Sequence, residues 1–383
     1  MKIVHLIGSL SVGGVQKFIL ELSKTSSLKL FKHHVLCTFL SNNNYIDEYE
    51  KSSIVVNNFV FSRPSNINIP YKLDVLLRYI SSSLFIFRFW YYLLKSDINI
   101  IHSHIHTNII SQIIAVIFSG KRIIWTIHGE YIIGTYTKFF VKILDLIVTD
   151  SRFYIIADSE AALYCSLPYY KYRDINDHII PTGININPFL MEYDTKALRS
   201  KYNIKEDMSL IGSTGRIVWQ KGYDQLLDVL ENYDFDTLKF HILIAGDGSL
   251  KTKMIERVKK KKLEKYITFI GNIKNIPEFL SMLDIYIQPS VTEGYPLSVL
   301  EAMASKLPII SSDAGGLSKM IEHNIDGLKF KSQNIEGLFK ILNIAMNFSH
   351  KELKSLGNNA FKKINIENNI ENIAKAYKSI YMI

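Results

Sequence analysis

The apolar residues of this chain fall into short β-branched runs separated by amphipathic stretches, an alternation that predicts an α/β protein. In the first half, Lys2–Ile7, His34–Phe39, Ile98–His104, Ile123–His128, Ile155–Ser159 and Ile179–Pro181 read as strands, with a helix over Val15–Ser23 after the first of them. The pattern restarts further on. Leu210–Thr214, Phe240–Ala245, Ile267–Phe269, Ile285–Gln288 and Pro308–Ser311 read as strands, and Tyr223–Glu231, Ser249–Lys260, Ile276–Leu283 and Leu297–Ala304 as helices between them. Runs that are apolar throughout mark strands buried on both faces, so each half is expected to be a parallel, doubly wound sheet between helical layers. The polar stretch Asn185–Asp194 reads as a linker and Glu367–Tyr381 as one terminal helix. The expected division is a first domain over 1–186, a second over 187–366 and the terminal helix over 367–383. Two such halves are expected to leave a cleft lined by the carboxyl ends of their strands.

Composition adds exclusions. The chain has 383 residues, 48% hydrophobic and 21% charged, which excludes extensive disorder. Two cysteines, Cys37 and Cys165, exclude a disulfide scaffold and a multi-cysteine zinc site, and fit a reducing, cytoplasmic compartment. The apolar run at the N-terminus is too short for a secretory signal. Leu73–Leu94 is broken by Asp74, Arg78 and Arg88 and does not read as a membrane span. The net charge of +9 is spread over both halves without a basic stripe, so nucleic acid is not expected as a partner; phosphates or acidic lipid suit the charge equally well.

Four segments carry candidate chemistry, all at carboxyl ends of predicted strands. The strongest is Glu293-Gly-Tyr-Pro-Leu-Ser-Val-Leu-Glu301. A loop with Glu293 and Gly294 follows a strand, Tyr295, Pro296 and Leu297 lead into a helix whose first N–H groups favour an anion, and Glu301 sits one turn in, able to accept hydrogen bonds from a vicinal diol. The second is Gly215-Arg216 with Lys221-Gly222, a glycine turn followed by a guanidinium and an ammonium, a usual pair for a diphosphate. Gly13-Gly14 before the first helix exposes backbone N–H groups to a phosphate or sugar, or is a plain turn. Gly246-Asp247-Gly248 is a further turn at the same edge. Neither Gly-x-Gly-x-x-Gly nor Gly-Lys-Ser/Thr is present at these turns, so a dinucleotide fingerprint and a Walker loop are unsupported.

Eight of the eleven histidines lie in the first half. His102, His104 and His106 alternate and would share one face of a strand, but with no carboxylate near them in sequence a metal site is not expected. His128, at the end of a strand, is expected to face ligand. Tyr71–Leu94 is either a buried helix or, with Arg88 and Lys95 beside its aromatics, a segment lying on a membrane surface.

Taken in order, these segments resemble the retaining glycosyltransferases of family 4, which have the GT-B fold of two facing Rossmann-like domains. The resemblance spans nearly the whole chain and is densest from Gly212 to Gly327. Glu293 to Glu301 resembles the family's Glu-x7-Glu motif, Gly215-Arg216 with Gln220-Lys221-Gly222 its diphosphate segment, and Gly13-Gly14, His128, Ser159 and Gly183-Ile184 its first-domain landmarks. Departures are Thr182-Gly183 in place of Asn-Gly, Gly13-Gly-Val-Gln16 in place of Gly-Gly-Ala-Glu, and Ser249 where proline is frequent. The resemblance implies metal-independent transfer of a sugar, with retention, from a UDP- or GDP-sugar to a glycan or polyprenyl-linked acceptor of bacterial surface polysaccharide; the apolar stretch near Phe85–Tyr92 and the mild basicity add an expected peripheral contact with the inner membrane. No further cofactor is implied. It also implies that the terminal helix crosses back to the first domain. Arg216 and Lys221 would take the diphosphate, Glu301 the ribose, His128 and Glu293 the sugar, Asn272 and Ile273 the base, and Gly13, Gly14, Gly215, Gly246, Gly294, Tyr295, Pro296 and Leu297 the remaining donor contacts. A non-catalytic nucleotide-sugar-binding subunit and a nucleotide-sugar epimerase are the alternatives.

Overall fold

The computed structural model describes residues 1–8, 10, 13–37, 45–58, 87–104, 119–128, 153–160, 162–163, 178–235 and 238–383. The chain forms two compact units. One comprises Met1–Gly183 with Ile370–Ile383, the other Ile184–Asn369. The sequence divided the chain at 186/187 and 366/367.

The first unit holds β1 (Lys2–Ile7), β2 (Lys32–Cys37), β3 (Val55–Asn58), β4 (Ile100–Ser103), β5 (Arg122–Ile127), β6 (Phe153–Ala157) and β7 (His178–Ile179), in the order β3-β2-β1-β4-β5-β6-β7. Every pairing is parallel. One face buries Val4, Leu6, Leu36, Ile101 and Ile123 under Phe89 and Leu93 of the helix over 87–95. The other buries Ile3, Ile7, Val35, Ile100, Ile124 and Ile156 under Phe18 and Ile19 of the Gly14–Lys24 helix and under the terminal helix Ile370–Met382. Ile370, Ile373, Tyr377, Ile380 and Tyr381 of that helix recur at helical spacing on its buried face. Burial of each such side chain contributes roughly 1.5–3 kcal/mol. Polar contacts fix its position: the Glu371 carboxylate accepts from the Ser26 N–H (2.9 Å) and both Ser26 and Ser27 hydroxyls, and Arg122 donates to the Tyr381 carbonyl at 2.6 Å.

The second unit holds β8 (Ser209–Thr214), β9 (Phe240–Ala245), β10 (Ile267–Gly271), β11 (Ile285–Gln288), β12 (Ile309–Ser312) and β13 (Gly327–Phe330), in the order β10-β9-β8-β11-β12-β13, again parallel throughout. The strand order reverses direction between β8 and β11, so the loops following those two strands flank the switch point where such sheets take ligands.

Several boundaries differ from the sequence reading. The terminal helix begins at Ile370, because Glu367 closes a separate helix, His350–Glu367, that starts at a capping box on Ser349 and Glu352. The Asn185–Asp194 stretch contains the 3₁₀ turn Asn187–Leu190, and Asp194 caps the next helix by accepting from the Ala197 N–H at 3.1 Å. β3 and β13 were not predicted. Both are edge strands of four residues with polar positions (Asn57 and Asn58; Lys329), so neither shows an unbroken apolar run. Residues 73–86 of the apolar stretch, His106 and Cys165 lie outside the described residues.

Candidate active site

In the second unit the loops after β8, β9 and β11 are laced together through their backbones. Gly246 has φ +149, and a Cβ there would stand 1.8 Å from the Gly215 carbonyl oxygen. Only glycine lets these two turns approach so closely. The Ile217 N–H then donates to the Asp247 carbonyl at 2.8 Å, and the Val291 N–H to the Gln220 carbonyl at 2.8 Å. This lacing sets Arg216, which is exposed, and Lys221 beside the loop after β11.

The Glu293 carboxylate is the hub of that loop. One oxygen accepts from Lys221 Nζ, from Ser290 Oγ at 2.8 Å and from Gln288 Nε2 at 3.2 Å. The Lys221 and Glu293 side chains are only 15% and 12% exposed, so the pair is held in a largely desolvated position. Gln288 is buried and itself held by the Tyr286 hydroxyl at 3.1 Å, so the strand end dictates where the glutamate points. The Glu293 carbonyl accepts from the Gly316 N–H at 3.0 Å.

Pro296 caps the helix Leu297–Ala304, one position outside it. Glu301 lies within this helix and is buried. Burial pushes the nearby Tyr286 phenol above its ordinary range, and the Glu301 charge adds to that push. Tyr295 meets Asn368 through its hydroxyl at 3.0 Å. Asn272 is exposed and Ile273 half-buried, directly after β10, whose Gly271 carbonyl accepts from the Gly246 N–H at 2.8 Å. The second unit therefore gathers a guanidinium, an ammonium, two carboxylates and a helix start at one switch point, a set suited to an anion with a hydroxylated neighbour.

The remaining sequence candidates, Gly13, Gly14 and His128, belong to the first unit. Gly13 precedes the Gly14–Lys24 helix in extended conformation. Phe18 of that helix sets its ring edge-on to His128, with centroids 6.3 Å apart. His128 follows β5, and its Nδ1 lies 3.5 Å from Asp158 Oδ2 after β6, with both side chains nearly buried.

Of the alternating histidines, His102 and His104 share a face as expected, while His106 lies outside the described residues. Their rings meet with centroids 4.0 Å apart, and their hydrogen-bond partners come from other elements. His104 stands 3.0 Å from His128 and 3.2 Å from His5, and His5 stands 3.0 Å from His33. His102 has both ring nitrogens on hydroxyls, Tyr381 and Thr126, each at 2.7 Å. Burial, reinforced by the neighbouring rings, pushes His5, His102 and His104 well below the ordinary imidazole range, and burial takes His33 down to about 4. Asp158, His5 and His33 were missed in the sequence. The available signal was a polar residue inside an apolar strand, as at His5 between Val4 and Leu6.

Residues 12–187 match the family model Glycosyltransferase Family 4, and residues 194–363 match Glycosyl transferases group 1. The chain is 27% identical over 173 residues to the lipopolysaccharide core biosynthesis mannosyltransferase LpsB of Rhizobium meliloti, covering 44% of this chain and 49% of that protein. It is 32% identical over 145 residues to the O-antigen biosynthesis glycosyltransferase WclY of Escherichia coli, covering 38% of this chain and 40% of that one. The matched region thus spans less than half the length of either relative. Among solved structures, Anabaena HepE in complex with UDP has a TM-score of 0.79 at 17% identity, covering 100% of both chains. That likeness, with the two parallel sheets, identifies the GT-B fold. No helix among the described residues is long and apolar enough to cross a membrane.

Proposed function

Because residues 12–187 and 194–363 match the family 4 and group 1 glycosyltransferase models, we propose that this chain transfers a sugar, with retention and without a metal ion, from a nucleotide-diphosphate sugar to a glycan or lipid-linked acceptor of surface polysaccharide. The observation that carries this reading is the Lys221–Glu293 pair beside Arg216 at the carboxyl ends of β8 and β11. Departure of a nucleoside diphosphate leaves growing negative charge on its phosphates. Arg216, Lys221 and the N–H groups opening the Leu297–Ala304 helix stabilise that charge in place before it develops, an effect worth about 3 kcal/mol for one such group. Glu301 accepts from the ribose hydroxyls. Asn272 and Ile273 border the base. Gly215, Gly246, Gly294 and Tyr295 let the donor's backbone contacts come close. His128, with Gly13 and Gly14 at the nearby helix start, is assigned to the sugar. UDP is the first nucleotide to test, since HepE was solved with UDP and with UDP-glucose.

Membrane contact is assigned to the helix over 87–95, which buries Phe89 and Leu93 and exposes Phe87, Tyr91 and Leu94, with Lys95 5.9 Å from the Tyr91 ring. Co-sedimentation with anionic vesicles is expected; its absence removes this part alone.

The test is nucleotide release from UDP- and GDP-sugars, wild type beside Glu301→Ala, with and without a bacterial lipid extract. Release that the extract stimulates and the substitution abolishes supports transfer. Nucleotide binding without release from any donor favours the non-catalytic reading, and an isomerised sugar without acceptor favours epimerisation.

A further inference from the structure

The first unit contains a line of side chains that crosses five adjacent strands, with one residue from each. His33 lies on β2, His5 on β1, His104 immediately after β4, His128 after β5 and Asp158 after β6, following the strand order β2-β1-β4-β5-β6. The contacts are His33 Nδ1 to His5 Nε2 (3.0 Å), His5 Nδ1 to His104 Nε2 (3.2 Å), His104 Nδ1 to His128 Nε2 (3.0 Å) and His128 Nδ1 to Asp158 Oδ2 (3.5 Å). At every step the Nδ1 edge of one ring meets the Nε2 edge of the next. The line runs obliquely from near the amino ends of the strands to their carboxyl edge, since His33 is the second residue of its strand and His128 and Asp158 lie just past theirs.

A neutral imidazole has one donor nitrogen and one acceptor nitrogen. A carboxylate only accepts. Beginning at Asp158, each ring's proton is therefore assigned in turn: His128 carries it on Nδ1, which leaves Nε2 to accept from His104 Nδ1–H, and the same logic continues through His5 to His33. His33, His5 and His104 are buried, which disfavours a charge on these three rings. The line ends at His33 Nε2, which has no hydrogen bond of ordinary geometry among the described residues, although the Leu28 backbone acts on the His33 ring.

We propose that His33, His5 and His104 are positioning residues that hold His128 as the Nδ1–H tautomer, its Nε2 already engaged, so that it offers a ligand hydroxyl a donor beside the Asp158 carboxylate as acceptor. This rests on the reading of His128 as a sugar contact. The pairing is selective for a hydroxyl, which can accept from the imidazole and donate to the carboxylate at once. Asp158 Oδ1 already accepts from the Ser159 hydroxyl at 3.2 Å, and a carboxylate keeps lone pairs for a further donor.

A metal centre is the competing chemistry, since one nitrogen each from His5, His102 and His104 falls within 4.8 Å of the others. His102, however, has both nitrogens on hydroxyls at 2.7 Å, and His5 and His104 are spent on neighbouring rings. A cation would have to break most of these contacts to bind.

The test is ¹⁵N NMR of the full-length, histidine-labelled protein at pH 7, with signals assigned through single-histidine variants. Protonated Nδ1 and bare Nε2 are expected at His5, His33, His104 and His128. A proton on Nε2 of His128, or fast averaging between its nitrogens, overturns the proposal. This spectrum needs only wild-type protein, so a variant that fails to fold does not blunt it. His104→Leu should free His128 to average and lower kcat/KM about tenfold, the scale for losing an outer partner of a functional histidine, while His104→Asn, which keeps a donor where Nδ1–H stood, should restore both. Equal loss in both variants argues for mere packing and overturns the positioning role. Equimolar Zn²⁺ should leave the signals unmoved; saturable loss of the Nδ1–H resonances would replace the line with a metal centre. Unimpaired transfer by His128→Ala with the stated tautomers would remove the sugar contact and leave the line standing. Abolished transfer with the wrong tautomers would do the reverse.

Discussion

The two units carry the same kind of parallel sheet, yet their carboxyl edges are chemically opposite. The second unit's edge is charged: Lys221 against Glu293, Arg216 in solvent and Glu301 in the following helix. The first unit's edge is a buried assembly of imidazoles and hydroxyls, with Asp158 as its one described acid in contact. Charges suit a ligand whose own charge grows during reaction, and neutral donors and acceptors suit hydroxyl groups. Under the proposed function, the second unit's edge is assigned the leaving diphosphate and the first unit's edge a sugar hydroxyl.

The largest expected effect breaks the charged edge. Lys221→Ala should lower nucleotide release by about a hundredfold or more, because one preorganised donor to the developing charge is lost. It also strands Glu293 in a desolvated position, so Lys221→Ala combined with Glu293→Gln should be more stable than Lys221→Ala alone while remaining as slow. Equal stability of the two variants would show that the pair is not coupled as its burial implies.

Acid should separate the units next. His33 titrates at about 4 when folded and near 6.5 when unfolded. The unfolded chain thus binds more protons between those values, so His33 contributes stability that is complete above pH 6.5 and lost as pH falls to 4, about 3 kcal/mol in all. His5, His102 and His104 shift in the same direction. In the second unit His241 is the histidine with a lowered value, and Glu231, held down by Arg257, loses its contribution only in the carboxylate range. Amide exchange at pH 5 should therefore open β1, β2 and β4 before β8, β9 and β11. Simultaneous opening would mean that the histidines do not set the acid limit.

The same contrast explains what could be read from the sequence. The charged edge was legible because its parts lie close along the chain: Glu293 to Glu301 and Gly215 to Gly222 are contiguous stretches at a strand-to-helix turn, where local rules on glycine, proline and helix starts apply. The strands that build it were legible from unbroken apolar runs such as Phe240–Ala245. The neutral edge was not, because His33, His5, His104, His128 and Asp158 become neighbours only through the order of the strands, which no local pattern fixes. The alternation of His102 and His104 shows their shared face, but their hydrogen bonds run to other elements, which spacing along one strand does not show. The helices over Ile335–Asn347 and His350–Glu367 were missed for another reason: they cover a sheet already recognised and carry no glycine-marked turn.

The smallest expected effect tests whether the neutral edge is as soft as its chemistry implies. Tyr381→Phe removes the hydroxyl that meets His102 Nδ1 and leaves the ring otherwise packed, with Thr126 still on Nε2. A buried polar atom that loses a neutral partner costs about 1–2 kcal/mol. Urea unfolding should therefore show a loss of that size confined to the first unit, with unchanged affinity for UDP if the second unit alone binds the nucleotide. The terminal helix is anchored independently through Glu371 on Ser26 and Ser27, so it should stay in place. A loss as large as that from Lys221→Ala would mean that the hydroxyl–imidazole contacts act as one cooperative network rather than as separable bonds. The distinction between a charged edge that is costly to break and a neutral one that is not would then fail.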